Sequence, residues 1–293
     1  MMVLEHPSRM ARELGRICRD ASAAIMKVYN QPQQQWDVKT KADDSPVTAA
    51  DLGAHKVIMR GLSQMMPRLP VLSEESANVA WSARSQWGRY WLVDPLDGTR
   101  EFLDRNDEFT INIAMIEHGQ PLFGMVHVPV TGVTYYGGRS CGSYRQGLEG
   151  EPERLEVRSL RLPQIDVVAS HRHGNEQIQP LLDAMQQQGM NVARRQIGSS
   201  LKLCMIAEGQ ADFYPRIGPT CEWDTAAAQA VIEGAGGKVL DLNFKTLAYN
   251  QKDSLMNAWF MVLGDLHHPW QNWLTPALEQ LRLDEQEAAE ADS

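Results

Sequence analysis

The 293-residue chain, 43% apolar and 22% charged, has the composition of a soluble globular protein and enough length for one large domain or two tightly joined halves. Its formal net charge of −9 disfavours a nucleic-acid polymer or an anionic membrane as main partner, since both select basic surfaces. Cys18, Cys141, Cys204 and Cys221 form no CxxC pair, which fits reduced thiols better than a disulfide framework or a zinc site.

Apolar residues at Met10, Leu14, Ile17, Ala21, Ala24, Ile25 and Val28 predict a helix over Ser8 to Asn30, with Pro7 where a first turn tolerates it. Met1 to Pro7 carries neither the basic nor the apolar region of a secretory signal, so an intracellular, cytoplasmic protein is expected. Gln31 to Asp44 reads as a loop or weak hairpin, and Ala49 to Met66 as a second helix. Short apolar runs follow at Val71-Leu72, Tyr90 to Val93, Phe109 to Ile116, Leu122 to Val130 and Val133 to Tyr136, separated in part by turn residues such as His118-Gly119 and Thr131-Gly132. They predict a strand meander; the longest falls well short of the roughly 20 residues of a spanning helix.

The charged segment Leu148 to Pro163 marks the expected division between an N-terminal half, 1–155, and a C-terminal half, 156–283. The second half alternates strand and helix. Strands are expected at Val167 to Ala169, Ala211 to Tyr214, Lys238 to Leu240 and Trp259 to Leu263, and helices at Glu176 to Gln188, Ser199 to Glu208, Asp224 to Glu233 and Trp270 to Leu281. The remaining 284–293 reads as a disordered acidic tail.

Four acidic sites fall where one element hands over to the next: Asp51, Glu74-Glu75, Asp94 with Asp97, and Asp224. Each also has a plain structural reading. Asp94-Pro95-Leu96-Asp97-Gly98-Thr99 has the residues of a polar turn, yet two carboxylates three apart can also converge on a hard cation. That spacing differs from the Asp-x-Asp of aspartate-nucleophile phosphatases, which favours metal-activated water over a phospho-aspartyl route. Glu74-Glu75 reads as a solvated pair or, if turned inward, as a metal site. Asp51 matches a capping box with Thr48, and Asp224 suits the first turn of a helix.

In this order, Asp44-Ser45-Pro46-Val47-Thr48-Ala49-Ala50-Asp51, Glu74-Glu75, Asp94 to Thr99 and Trp223-Asp224-Thr225-Ala226-Ala227 resemble the lithium-sensitive, Mg²⁺-dependent phosphatases that include inositol monophosphatase and fructose-1,6-bisphosphatase. The likeness covers roughly Met10 to Leu263 and implies an α/β protein with a layered α/β/α/β/α sandwich. Lys41 to Thr48, Pro70 to Glu75, Tyr90 to Phe102, Gly198-Ser199-Ser200-Leu201-Lys202 and Tyr214-Pro215-Arg216 are similar to the 3′(2′),5′-bisphosphate nucleotidase subgroup of the CysQ type.

What this resemblance implies is hydrolysis of the 3′-phosphate of adenosine 3′,5′-bisphosphate to AMP, in sulfur assimilation. Two or three Mg²⁺ ions are implied at Glu74, Asp94, Asp97, Asp224 and the Leu96 carbonyl, with Asp51 and Thr99 activating water. The implied substrate contacts are Glu74, Asp97, Gly98, Thr99 and Asp224, with Ser170, His173, Gly198 and Lys202 around the second phosphate and sugar. Without the family, Lys202 reads as a solvent-exposed helix lysine and Gly198 as a helix-entrance glycine. The chain departs from the subgroup's Ser-Arg-Ser-His at Ser170-His171-Arg172-His173, and Cys221-Glu222 before Trp223 also departs from its pattern. The resemblance allows peripheral association with the cytoplasmic face of the inner membrane and fixes no oligomeric state. The rivals are an inositol-phosphate or other sugar-phosphate monophosphatase and, in another class, a non-catalytic Mg²⁺- or nucleotide-binding regulator.

Overall fold

The computed structural model describes residues 6–40, 46–171 and 176–291. Helix α1 (Pro7–Tyr29) starts on a proline and buries Leu14, Ile17, Cys18, Ala21 and Ile25, the periodic positions. Strands β1 (Lys39–Thr40) and β2 (Pro46–Val47) pair antiparallel. Helix α2 (Ala49–Gln64) then packs so close to α1 that a Cβ on Gly61 would lie 2.6 Å from Ile17.

The next stretch contains β3 (Val71–Ser73), α3 (Trp81–Arg84), β4 (Arg89–Asp97), α4 (Thr99–Asp104), β5 (Thr110–Glu117), β6 (Gln120–His127), β7 (Thr134–Gly138), β8 (Gly142–Gln146) and β9 (Glu153–Leu155). Its strands form one seven-stranded sheet in chain order, antiparallel except for the parallel pair β3–β4. The second half contributes β10 (Gln164–Ala169), α5 (Gln179–Gln187), β11 (Asn191–Gln196), α6 (Leu201–Ala207), β12 (Phe213–Arg216), α7 (Glu222–Gly234), β13 (Lys238–Asp241), β14 (Phe260–Leu263) and α8 (Trp270–Ala291). Its five-stranded sheet runs β11-β10-β12-β14-β13, parallel through the first three and antiparallel thereafter.

Strand alternation sorts the apolar side chains into three cores. Trp91, Val93, Ile111, Ile113, Met115, Phe123 and Met125 face α1 and α2. Their neighbours Tyr90, Leu92, Ala114, Ile116 and Val126 face the other way, onto α6, α7 and the second sheet's Val168, Tyr214, Phe260 and Val262. The far side of that sheet, with Ile165, Val167, Phe213, Met261 and Leu263, is covered by α5 and α8. The result is the expected α/β/α/β/α sandwich, and its middle core is built from both halves of the chain.

Several elements differ from the sequence reading. Helix α8 continues to Ala291, so the run from Asp284 extends a helix instead of starting a tail at 284. Strands β8, β9 and β11 were not expected, because their sequences are polar or charged. Strand β11 is largely exposed and β8 half-buried, so neither shows an apolar period. Among the described residues, no helix is long and apolar enough to cross a membrane.

Candidate active site

The acidic residues meet because of a local irregularity in β4. In a regular strand, residues three apart point to opposite faces. Here Asp94 pairs with Asn112 and Asp97 with Thr110, so Pro95 and Leu96 oppose a single residue, Ile111. That extra residue is a β-bulge, and it restores Asp94 and Asp97 to one side. Asp94 Oδ1 accepts the Leu96 amide at 3.0 Å, fixing the turn of the bulge. Gly98 leaves the strand at φ 90°, a left-handed conformation that glycine adopts without strain, and Thr99 opens α4.

Asp224 arrives from the other half at the third position of α7. Its Oδ2 accepts the Cys221 amide at 2.9 Å, completing a capping arrangement. Oxygens of Asp94, Asp97 and Asp224 lie within 4.8 Å of one another. Glu74, directly after β3, hydrogen-bonds Asp94 through its side chain and lines the same cavity as Asp97 and Asp224.

Asp94 is 2% exposed. Burial, then the charges of Glu74, Asp97 and Asp224, hold its carboxyl well above the usual range. Burial, then Asp97 and Glu74, do the same to Asp224, with the Cys221 amide opposing. Such crowding of inward-facing carboxylates is costly unless a cation neutralises them. An all-oxygen set this tight fits a hard divalent ion.

Asp51 makes the capping contact and reaches Thr99 as well. Its Oδ2 accepts from the Thr48 amide and hydroxyl at 2.7 Å each, the capping contact, while Oδ1 accepts from the Thr99 hydroxyl at 3.2 Å. Burial pushes its carboxyl up to about 6, against the Thr48 hydrogen bonds. The Thr99 hydroxyl also lies 3.4 Å from the Leu96 carbonyl. The acidic end of the site thus brings together Asp51, Glu74, Asp94, Leu96, Asp97, Gly98, Thr99 and Asp224.

The cavity over this cluster measures about 310 Å³, and its lining also includes the cationic side chains Lys202 and Arg216. Lys202 is buried on α6, not solvent-exposed: its Nζ donates to the Ser199 and Ile197 carbonyls at 2.6 and 3.3 Å and lies 5.5 Å from the Tyr214 ring centre. Burial lowers its pKa to about 8, with Asp97 opposing. Ser170 also lines the cavity. Gly198 stands behind it, its amide donating to Glu108 at 2.6 Å, and a Cβ there would lie 2.6 Å from Glu101 Cγ. His173 lies outside the described residues.

Three contributors were not singled out from sequence. Arg216, buried at the end of β12, lines the cavity, donates to the Pro219 carbonyl at 2.6 Å and has no partner for Nε among the described residues. Ser200 donates through its amide and hydroxyl to Asp97 Oδ2 at 2.7 and 2.8 Å. Glu108 accepts from Gly198 and pairs with His171 at 2.8 Å. In the sequence Tyr214-Pro215-Arg216 carries only a resemblance, and an arginine closing a short apolar run is the signal it offers.

A model of the inositol monophosphatase family matches residues 7–282. A protein of Salmonella typhimurium named 3′(2′),5′-bisphosphate nucleotidase CysQ is 46% identical over 253 residues, 86% of this chain and 99% of that protein. Its namesake from Escherichia coli K12 is 47% identical over 255 residues, with the same shares covered. The crystal structure of CysQ from Bacteroides thetaiotaomicron, described as a bacterial member of the inositol monophosphatase family, matches with a TM-score of 0.76 at 35% identity, covering 87% of this chain and 97% of that one. With its acidic cluster in the bulge of β4 and at the start of α7, the chain belongs to the inositol monophosphatase family, whose members are metal-dependent phosphatases.

Proposed function

We propose that the chain is a Mg²⁺-dependent 3′(2′),5′-bisphosphate nucleotidase that removes the 3′-phosphate of adenosine 3′,5′-bisphosphate, leaving AMP and phosphate. The observation that carries this reading is the mixed lining of one cavity, in which Glu74, Asp97 and Asp224 stand together with buried Lys202 and Arg216. Carboxylates that can hold a cation suit the phosphate that is cleaved, and the basic side chains suit a second phosphate that is retained. The identity to CysQ proteins supports the same substrate class.

In this reading Glu74, Asp94, Asp97, Asp224 and the Leu96 carbonyl hold the ions. When bound, Mg²⁺ supplies an acidified water and neutralises charge on the phosphoryl and departing oxygens. The Thr99 hydroxyl donates to Asp51 Oδ1, so it would accept a hydrogen bond from an attacking water and relay the proton to Asp51. With its carboxyl near 6, Asp51 is ionised at neutral pH and able to take it. Gly98 and Thr99 border the cleaved phosphate where the first amides of α4 lack helical partners. Ser170, Lys202 and Arg216 receive the second phosphate and sugar, and Glu108 holds the Gly198 segment in place behind them.

The test compares kcat/KM for adenosine 3′,5′-bisphosphate, its 2′ isomer, adenylyl-sulfate 3′-phosphate and inositol 1-phosphate, with Mg²⁺ and with chelator. A preference for inositol 1-phosphate, or turnover that survives chelation, overturns the reading.

A further inference from the structure

Glu222, the first residue of α7, is 2% exposed, a burial that a carboxylate tolerates only with partners. Both of its oxygens accept from the Asn250 amide, at 2.9 Å each. Asn250 is itself held in a left-handed conformation, φ 55°, where asparagine is better tolerated than most residues. Its side chain is tied in turn: Oδ1 accepts from Arg84 Nη1 at 2.5 Å and Nδ2 donates to the Arg84 carbonyl at 2.7 Å. Arg84, also 2% exposed, donates to the Lys252 carbonyl at 3.1 Å and to the Asp253 carbonyl, and its guanidinium lies 4.8 Å from the Trp81 ring centre.

These contacts join distant parts of the chain. Arg84 closes α3, in the connection between β3, which Glu74 directly follows, and β4, which carries Asp94 and Asp97. Asn250 belongs to the segment between β13 and β14, and Glu222 stands two residues before Asp224. The same segment grips the start of α7 through its backbone: Glu222 N donates to the Leu255 carbonyl at 2.8 Å, and Asn257 Nδ2 donates to the Cys221 carbonyl at 2.8 Å.

We propose that Glu222 is a positioning residue for Asp224: through Asn250 and Arg84 its carboxylate sets the seat of the α7 N-terminus relative to the strand ends that carry Glu74, Asp94 and Asp97. The inference rests on the reading of those carboxylates as a Mg²⁺ site. Glu222 itself touches neither ion nor substrate in this role. It fixes the angle at which one ligand meets the others, and outer partners of this kind change metal affinity by about 10- to 100-fold when removed.

The experiment is calorimetric titration of Mg²⁺ into the substrate-free full chain for wild type, Glu222→Ala, Glu222→Gln, Asn250→Gly and Asp97→Asn, with kcat measured at saturating Mg²⁺ alongside. Glu222→Ala is expected to weaken Mg²⁺ by about 10- to 100-fold, with kcat recovering as the ion saturates. Glu222→Gln keeps an oxygen for the Asn250 amide and stays near the wild-type affinity. Asn250→Gly keeps the backbone conformation and amide but cuts the link to Arg84, so it weakens Mg²⁺ as well; it carries the test should Glu222→Ala not fold. Wild-type Mg²⁺ affinity in Glu222→Ala or in Asn250→Gly overturns the proposal, as does a Glu222→Gln as weak as the alanine variant. If Asp97→Asn binds Mg²⁺ like wild type, the metal reading itself fails. If Asp97→Asn loses the ion and Glu222→Ala keeps it, only the positioning role falls.

Discussion

Among the described residues, Thr110, Asn112 and Ser200 all donate to Asp97 through Oδ2, which leaves Oδ1 to serve a cation. Asp97→Asn can keep the Ser200 contacts only by turning its NH₂ toward the ion. We therefore expect a folded protein whose kcat/KM falls by three or more orders of magnitude, on the order of what loss of a transition-state contact acting as part of a unit produces, and whose melting temperature no longer responds to Mg²⁺; a near-wild-type rate would refute the ligand assignment. In the same cavity, Lys202→Met removes a point charge from a buried position. Its kcat/KM for adenosine 3′,5′-bisphosphate should drop by about 10- to 100-fold, the worth of a charge-assisted contact of roughly 1.5–3 kcal/mol, while a substrate with one phosphate loses little. Equal losses on both substrates would place Lys202 outside the second-phosphate site. Asp94, Asp97 and Asp224 were legible because carboxylates at element ends are conspicuous. Lys202 as a buried group was not, since no local pattern says which side of a short helix meets a cavity.

At the scale of elements, the bulge and the small residues of α7 decide where the ligands stand. The spacing of three between Asp94 and Asp97 was plain in the sequence. That it lies within a strand, with Leu96 buried and the register shifted, was not, because strand periodicity alone sends the two carboxylates to opposite faces. Helix α7 lies unusually near the first sheet: a Cβ on Gly124 would sit 2.1 Å from the Ala227 carbonyl, and one on Gly234 2.2 Å from Ser143 Oγ. Ala226, Ala227, Ala228 and Ala230 are the sequence side of that approach. Gly124→Ala overlaps backbone that cannot swing aside, so it should cost about 1–3 kcal/mol or more and push Asp224 away from Asp94. Thermal denaturation together with Mg²⁺ titration checks this; unchanged stability with unchanged Mg²⁺ affinity would mean that the helix has room to move. Strands β8 and β11 escaped the sequence reading for a related reason, since strands without a clean apolar face carry no period to read.

For the whole molecule, the consequence is that the acidic cluster closes only when both sheets and the middle core are assembled, which couples metal, protons and stability. Asp51 rises from 3.8 to about 6 by burial, and Asp94 and Asp224 also lie above their ordinary values. A raised acid favours folding fully below its unfolded pKa and loses that contribution as pH climbs through the folded value. For Asp51 the whole shift is worth about 3 kcal/mol, of which roughly half is spent between pH 5 and 7.5. His127, lowered by burial to about 4, runs the opposite way, and Asp166 and Asp265 act below this window. The informative quantity is therefore the difference between Mg²⁺ and chelator at each pH, in which groups remote from the cluster cancel. At pH 7.5, Mg²⁺ at 100 times its Kd should stabilise the fold by about 2.7 kcal/mol, or roughly 4–5 °C for a chain of this size. At pH 5 protons hold the same carboxylates, so the same Mg²⁺ concentration should give a clearly smaller rise. A Mg²⁺-induced shift equal at the two pH values would show that the ion does not compete with protons for Asp51, Asp94 and Asp224, and would move the metal site elsewhere in the molecule.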